Sequence, residues 1–238
     1  MMKKAIAVLA VFLSLAAVAT AEPATTKDAP SEAKWEKLFV GDLSDSVFPK
    51  GVWAIKDGLL SATKDECIWT KKQYENYTLD LEFKTTDNAN SGVIVYCSDR
   101  PNWIPNSLEV QLLDDFGSEA AHMPNTWKCA AIFGRLAPTK STVKKPGQWN
   151  HMRIICHGKH ITVRLNGETV TKFDMSKWTS AKKNPDGSDI PPWESTPAAK
   201  LATKGYIGLQ GKHAGVPTYF RNIKIRKDAA PEKSKAKP

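Results

Sequence analysis

Apolar and polar residues alternate with a period of two along much of this chain. In "YTLDLEFKTT", Tyr77, Leu79, Leu81 and Phe83 interleave with Thr78, Asp80, Glu82 and Lys84, the pattern of an extended strand with one buried face. "SGVIVYC" is a β-branched run opened by a glycine, "WNHMRIICH" and "ITVRLNGETVTKF" carry the alternation on, and "GYIGLQ" and "PTYFRNIKIR" supply two closing strands. Both residues of Asn166-Gly167 tolerate positive φ, so this pair predicts a tight type I′ hairpin turn. A sustained helical period with caps is missing, the nearest approach being a turn near residues 34–38. Many short strands parted by Gly, Pro and Asn predict an all-β fold, a two-sheet antiparallel sandwich. The stretch 176–204, with "KNPDGSD" and "IPPWESTP", has no period and is expected as a rim loop over one end of a site.

"NSLEVQLLDD" breaks the simple pattern. Val110 and Leu112 suit the core, while Glu109 and Gln111 point to the other face of the strand, where simple surface residues would do. The same parity sends Ile207 and Leu209 inward with Tyr206 and Gln210 outward, and Val93 and Val95 inward with Ile94 and Tyr96 outward. On a jelly-roll sandwich these outward positions share the concave face of a curved sheet. Carboxylates and amides there pair with hydroxyls, and rings cover the apolar face of a pyranose.

The N-terminus reads as an export signal. Lys3 and Lys4 precede the apolar run from Ala5 to Val18, and Ala19-Thr20-Ala21 forms a small-residue cleavage site. Residues 1–21 are therefore expected to leave, residues 22–34 to form a polar leader, residues 35–227 the domain, and residues 228–238, "DAAPEKSKAKP", a disordered basic tail. The chain is expected outside the cytoplasm, periplasmic or extracellular, with no membrane contact after cleavage. The formal charge of +9 is spread along the chain rather than clustered with aromatics, which argues against a nucleic-acid partner. Cys67, Cys97, Cys129 and Cys156 form no C-x-x-C, so a zinc ribbon or thioredoxin-like centre is not indicated. Export permits disulfides, apolar positions suit buried thiols, and the spacing leaves pairing and oligomeric state open.

Taken in order, "NSGVIVY", "LEVQLLDD", "IFGRLAPTK", "PGQWNHMRIICHGKHITVRLNG" and the closing "GYIGLQGKH" and "YFRNIKIR" resemble the 3-keto-disaccharide hydrolase family, a concanavalin/laminarin-like jelly roll. The chain departs from the family's usual pattern in three places. Tyr96 stands where Arg is common, Phe133 where Tyr is, and Gly211-Lys212 separate Gln210 from His213. The resemblance implies a hydrolase or lyase acting on a small oxidised sugar. A carbonyl at C3 acidifies the C2 proton, and its removal forms an enolate that expels the C1 substituent before water adds. Such a route needs a base, an acid and a positive group by the C3 oxygen. Resemblance and face parity imply Glu109 or His213 as base with the other as acid, Lys140 as the positive group, and Gln111, Gln210, Tyr96 and Trp103 as substrate contacts. The residues single out no cofactor, and a divalent metal held by Glu109, Asp114 and His213 is the one alternative to Lys140 as the positive group.

Plainer readings compete for the same residues. Glu109 is also readable as a solvated strand residue, Asp114-Asp115 as a turn, Lys140 as part of a solvated lysine run, and Trp103 or Trp193 as loop-packing rings. A conventional glycosidase pairs two carboxylates, and Glu109 and Asp114 point to different faces of their strand. A carbohydrate-binding or adhesion module without catalysis is the alternative class, because jelly rolls serve both.

Overall fold

The computed structural model describes residues 34–229. The expected signal peptide, nearly all of the expected leader and the tail from residue 230 lie outside the described residues. Thirteen strands, five single-turn 3-10 segments and no α-helix are found among the described residues. Strands β1 (Trp35–Lys37), β3 (Trp53–Lys56), β4 (Leu59–Ala62), β6 (Tyr77–Thr85), β9 (Asn150–His157), β10 (His160–Leu165), β11 (Glu168–Asp174) and β13 (Thr218–Lys227) build the first sheet. Its order is β11-β10-β9-β6-β13-β4-β3, with β1 also on β13. The second sheet joins β2 (Ser46–Val47), β5 (Ile68–Thr70), β12 (Tyr206–Leu209), β7 (Asn90–Cys97) and β8 (Leu108–Leu113) in the order β2-β5-β12-β7-β8. Every pairing is antiparallel. The all-β sandwich expected from the periodicity is the fold observed.

Alternation places the core. Leu79, Leu81 and Phe83 of β6, Met152 and Ile154 of β9 and Ile161 and Val163 of β10 meet Val93, Val95, Val110, Leu112, Ile207 and Leu209 of the second sheet in one apolar cluster. β9 alternates buried and half-buried residues along its whole length, as a strand with one wet face does. Asn166 and Gly167 turn between β10 and β11 with φ of 51° and 89°, the positive values the sequence requires. Residues 35–37, expected in a turn, are instead paired with β13.

β8 departs from the one-wet-face pattern, since all six of its residues are buried. Its inner face meets the core, and its outer face is covered. The free edge of β8 is taken up by the segment 130–133. There Gln111 N donates to Ala131 O (3.0 Å), Ala130 N to Gln111 O (2.8 Å) and Phe133 N to Glu109 O (2.9 Å). An edge that would otherwise template aggregation is thereby closed.

The aperiodic stretch 176–204 then folds over this segment. Trp178 packs on Phe173 at 4.2 Å and its Nε1 donates to Asn184 Oδ1 (2.9 Å). Asn184 Nδ2 in turn donates to Gly134 O (3.1 Å). Gly134 has φ +64°, and a Cβ there would lie 2.6 Å from Pro191 Cδ, so only glycine admits the loop at this distance. The rim loop expected from the sequence lies over the site, anchored by its own side chains.

Candidate active site

The covered face of the second sheet holds a cavity of about 410 Å³. Glu109 lies in its floor, 8% exposed. β7 places Ile94 opposite Glu109 and Gly92 opposite Gln111. The Glu109 side chain occupies the space above Gly92, where a Cβ would stand 1.8 Å from Glu109 Oε1. That oxygen has no hydrogen-bond partner among the described residues. Burial, and then the charges of Glu194 and Asp65, push the Glu109 carboxyl up to about 8. A carboxyl so placed holds its proton at neutral pH and can donate it.

Amides flank it. Gln111 Nε2 donates to Asn90 Oδ1 at 3.1 Å, which fixes the orientation of that carboxamide. Gln210 follows β12 and is anchored through its backbone: its N donates to Gly92 O (2.9 Å), and Ser91 Oγ donates to its O (2.8 Å). The side chains of Asn90, Gln111 and Gln210 all line the cavity.

His213 arrives by a tight approach of two loops. A Cβ on Gly211 would fall 2.4 Å from Lys64 O and 2.6 Å from Glu66 O, so the glycine lets these backbones touch. Lys212 N donates to Lys64 O (3.1 Å), and the next residue is set against Asp65, with His213 Nδ1 2.8 Å from Asp65 Oδ2. With Asp65 ionised, Nδ1 carries the proton and Nε2 is the basic nitrogen. His213 lines the same cavity as Glu109.

The rim loop contributes a second carboxyl. Arg135 Nη2 donates to Glu194 Oε2 at 3.0 Å and to Thr196 O at 3.0 Å, and both side chains of the pair are nearly inaccessible. Burial raises the Glu194 carboxyl to about 7, with Arg135 opposing the rise. Aromatic rings close the walls: Trp127 packs on Phe133 at 5.0 Å and edge-on to Trp193 at 6.1 Å, and Trp103 stands edge-on to Trp69 at 6.2 Å.

Glu109, Gln111, Gln210, His213 and Trp103 are thus brought together as expected. Three expectations are corrected. Lys140 is on the surface, its Nζ 2.6 Å from Glu168 Oε2 with both side chains about half exposed, and it does not line the cavity. Tyr96 is in the core, fully buried, with its OH donating to Gly158 O (2.8 Å). It has φ 59°, and β7 and β12 slip in register there, Tyr206 pairing with Cys97 but Gly208 with Ile94. This bulge inserts one extra residue and reverses the parity beyond it, so Cys97 rather than Tyr96 joins Ile94 and Trp69 on the outer face. The trio of Glu109, Asp114 and His213 is not assembled, because Asp114 closes a turn by accepting from Asn88 N (2.9 Å) and Phe116 N (3.0 Å).

Asp65, Asn90, Trp127, Arg135 and Glu194 were not anticipated. Only Glu194 carried a signal, its position beside Trp193 in the long aperiodic loop. All four cysteines are buried free thiols, which answers the pairing left open by their spacing.

The fold is a jelly-roll sandwich with a covered cavity on its second sheet. The same architecture is found in a Bacillus subtilis protein of galectin-like fold, 12% identical, with a TM-score of 0.53 over 83% of this chain and 96% of that one. The sequence profile of the 3-keto-alpha-glucoside-1,2-lyase-like domain matches residues 30–226, and the chain belongs to that family. It is similar to a candidate glycosyl hydrolase of Parabacteroides distasonis, 55% identical, with a TM-score of 0.80 over 82% of this chain and 100% of that one. It also resembles the 3-keto-disaccharide hydrolase of Bacteroides thetaiotaomicron, 21% identical over 205 residues, 73% of this chain and 69% of the relative. The chain is accordingly a hydrolase-like member of this family.

Proposed function

We propose that this protein cleaves the glycosidic bond of 3-keto-glycosides by C2 deprotonation, elimination and hydration. His213, oriented by Asp65, takes the C2 proton at Nε2. The C–H electron pair becomes the C2–C3 double bond of an enolate, whose charge rests on the C3 oxygen near the amides of Gln111 and Gln210. As the enolate collapses, the C1–O bond breaks and Glu109 delivers its proton to the departing oxygen. Water then adds at C1, with a proton returned to C2, so the net result is hydrolysis. Each role matches the group's environment: an oriented imidazole serves as base, and a carboxyl protonated by burial serves as acid.

The observation that carries this reading is the buried Glu109 carboxyl, its Oε1 unpartnered, in one cavity with a His213 held by Asp65. A surface that only binds sugar has no need of either. Export to the periplasm or beyond belongs to the same proposal, on the strength of the N-terminal signal pattern.

The test offers the purified chain 3-keto and parent forms of one disaccharide, with and without chelator, and follows sugar release. Turnover of the 3-keto form alone is expected, and Glu109→Gln should keep the fold while losing about a hundredfold or more in kcat. Binding without turnover would make the protein a carbohydrate-binding module instead. Loss of turnover with chelator would place a divalent cation beside the C3 oxygen.

A further inference from the structure

We propose that the groove beyond the Trp127–Trp193 pair is a second sugar subsite, which seats the neutral pyranose to which the oxidised ring is linked. The proposal rests on the reading above for the oxidised ring itself and adds where its neighbour lies. A groove of about 690 Å³ is walled by the segments 124–127, 135–137 and 188–193. Trp127 and Trp193 line both this groove and the cavity that holds Glu109, so the two spaces share the indoles as a common wall. The buried ion pair belongs to the same wall, since Glu194 lines the cavity and Arg135 the groove.

The rings are presented rather than packed away. Trp193 is 48% exposed, although it stands beside a cavity. Each ring sits in a turn opened by proline: Trp127 N donates to Pro124 O (2.9 Å), and Glu194 N to Pro191 O (2.9 Å). Gly134 joins the two turns, donating from its N to Thr126 O (3.0 Å) while Pro191 packs where its Cβ would be. Proline's fixed φ and this close seat hold both indoles in place before a ligand arrives. A large exposed ring on a rigid rim marks a surface that a ligand covers, and an indole suits the apolar face of a pyranose.

Polar groups surround the rings. Asn125, Thr126, Asp186, Ser188 and Asp189 bring an amide, hydroxyls and carboxylates to the groove. Asn125 and Thr126 are tied down through their backbones, Lys128 N donating to Asn125 O (3.3 Å) and Gly134 N to Thr126 O, which leaves the carboxamide and the hydroxyl to a ligand. The charges argue against an anionic sugar. Arg135 is engaged by Glu194, Asp189 is paired with Lys183 at 2.7 Å, and Asp186 accepts from Ser188 N and Oγ. With its cation already committed, the groove offers an anion nothing but carboxylates, whereas the hydroxyls of a neutral ring can donate to them.

Methyl and glucosyl 3-keto-glucosides of one anomeric configuration provide the test, with Asn125→Ala joined to Thr126→Val. Both positions line the groove and not the cavity. Each substrate is compared between wild type and variant, so the difference in leaving-group chemistry cancels. We expect kcat/KM for the glucosyl substrate to fall about tenfold, as the loss of one or two hydrogen bonds requires, while methyl turnover is unchanged. A fall shared equally by both substrates at an unaltered denaturation midpoint, or no fall in either, overturns the proposal. Should the double variant lose stability, Thr126→Val alone, which keeps the side chain's shape, is read in the same way. If the wild type cleaves neither substrate, the functional reading fails, and calorimetry with the unoxidised methyl and glucosyl glucosides decides the subsite separately. Tighter binding of the glucosyl form that the variant abolishes supports it. Equal binding of the two by the wild type, or a preference that the variant keeps, overturns it.

Discussion

Gly92 has no side chain, and Glu109 lies in the space that leaves. A methyl group there would overlap the carboxyl, so the acid would have to swing out of its seat into the cavity it lines. Gly92→Ala is therefore expected to keep the fold, as judged by its denaturation midpoint, and to lower kcat about as far as Glu109→Gln does. Near wild-type turnover would show that the seat of Glu109 is irrelevant. Tyr96 gives the opposite case. Its hydroxyl ties β7 to Gly158 on the far side of the sheet from the cavity, so Tyr96→Phe should cost about 1 kcal/mol of stability and leave KM unchanged. These residues also mark the limit of what the sequence reveals. Parity alone placed Glu109, Gln111 and Gln210 on one face, because a strand's side chains alternate whatever else surrounds them. It failed at Tyr96, because a bulge formed by a non-glycine residue at positive φ has no signature in residue type.

Strands and loops differed in legibility for a similar reason. β6, β9, β10, β11 and β13 could be read from local alternation, and the hairpin from Asn166-Gly167, since each depends on neighbours in sequence. The reach of the rim loop does not. Glu194 meets Arg135 across 59 positions, and Asp65 meets His213 across 148, so neither partner marks the other. Lys140 shows the converse: a cation near the right motif is drawn to Glu168 on β11 and never reaches the site. The loop's hold on the sheet depends on the buried pair. Arg135 Nε and Nη1 have no partner among the described residues, so its Nη2 alone makes the contact. Arg135→Met leaves Glu194 buried and uncompensated, and should cost about 3–5 kcal/mol, read from urea denaturation. Joined to Glu194→Gln it should recover much of that stability while KM stays raised, with faster proteolysis within residues 176–204. Full stability in the single variant would mean that Asn184 and Trp178 anchor the loop unaided.

The two sheets carry opposite electrostatics on their outer faces, and the stability of the whole molecule should record both. On the first sheet, burial alone would raise Asp80, but hydrogen bonds from His151 and Arg153 outweigh it and hold the carboxyl below its ordinary range. Asp228 is likewise lowered overall, with Thr78, His157 and Arg226 outweighing its burial. Groups lowered on folding contribute stability that is present above the unfolded value of 3.8 and is lost as pH falls through the folded one. On the second sheet Glu109 is raised to about 8 and Glu194 to about 7. From the unfolded value of 4.5 upward, the native state binds more protons than the unfolded chain, so stability falls with rising pH until those folded values are passed. The two windows leave a maximum near pH 5, with a decline toward pH 8 in which Glu109 has the larger share because no cation faces it. Urea midpoints measured from pH 3 to 9 should trace this curve. Glu109→Gln, which has no proton to lose, should flatten much of its upper limb and become more stable than the wild type at pH 8, despite its loss of about a hundredfold in kcat. A midpoint that climbs steadily from pH 5 to 8 in the wild type would mean that Glu109 is ionised and solvated, and the acid assigned to it would have to be sought elsewhere in the cavity.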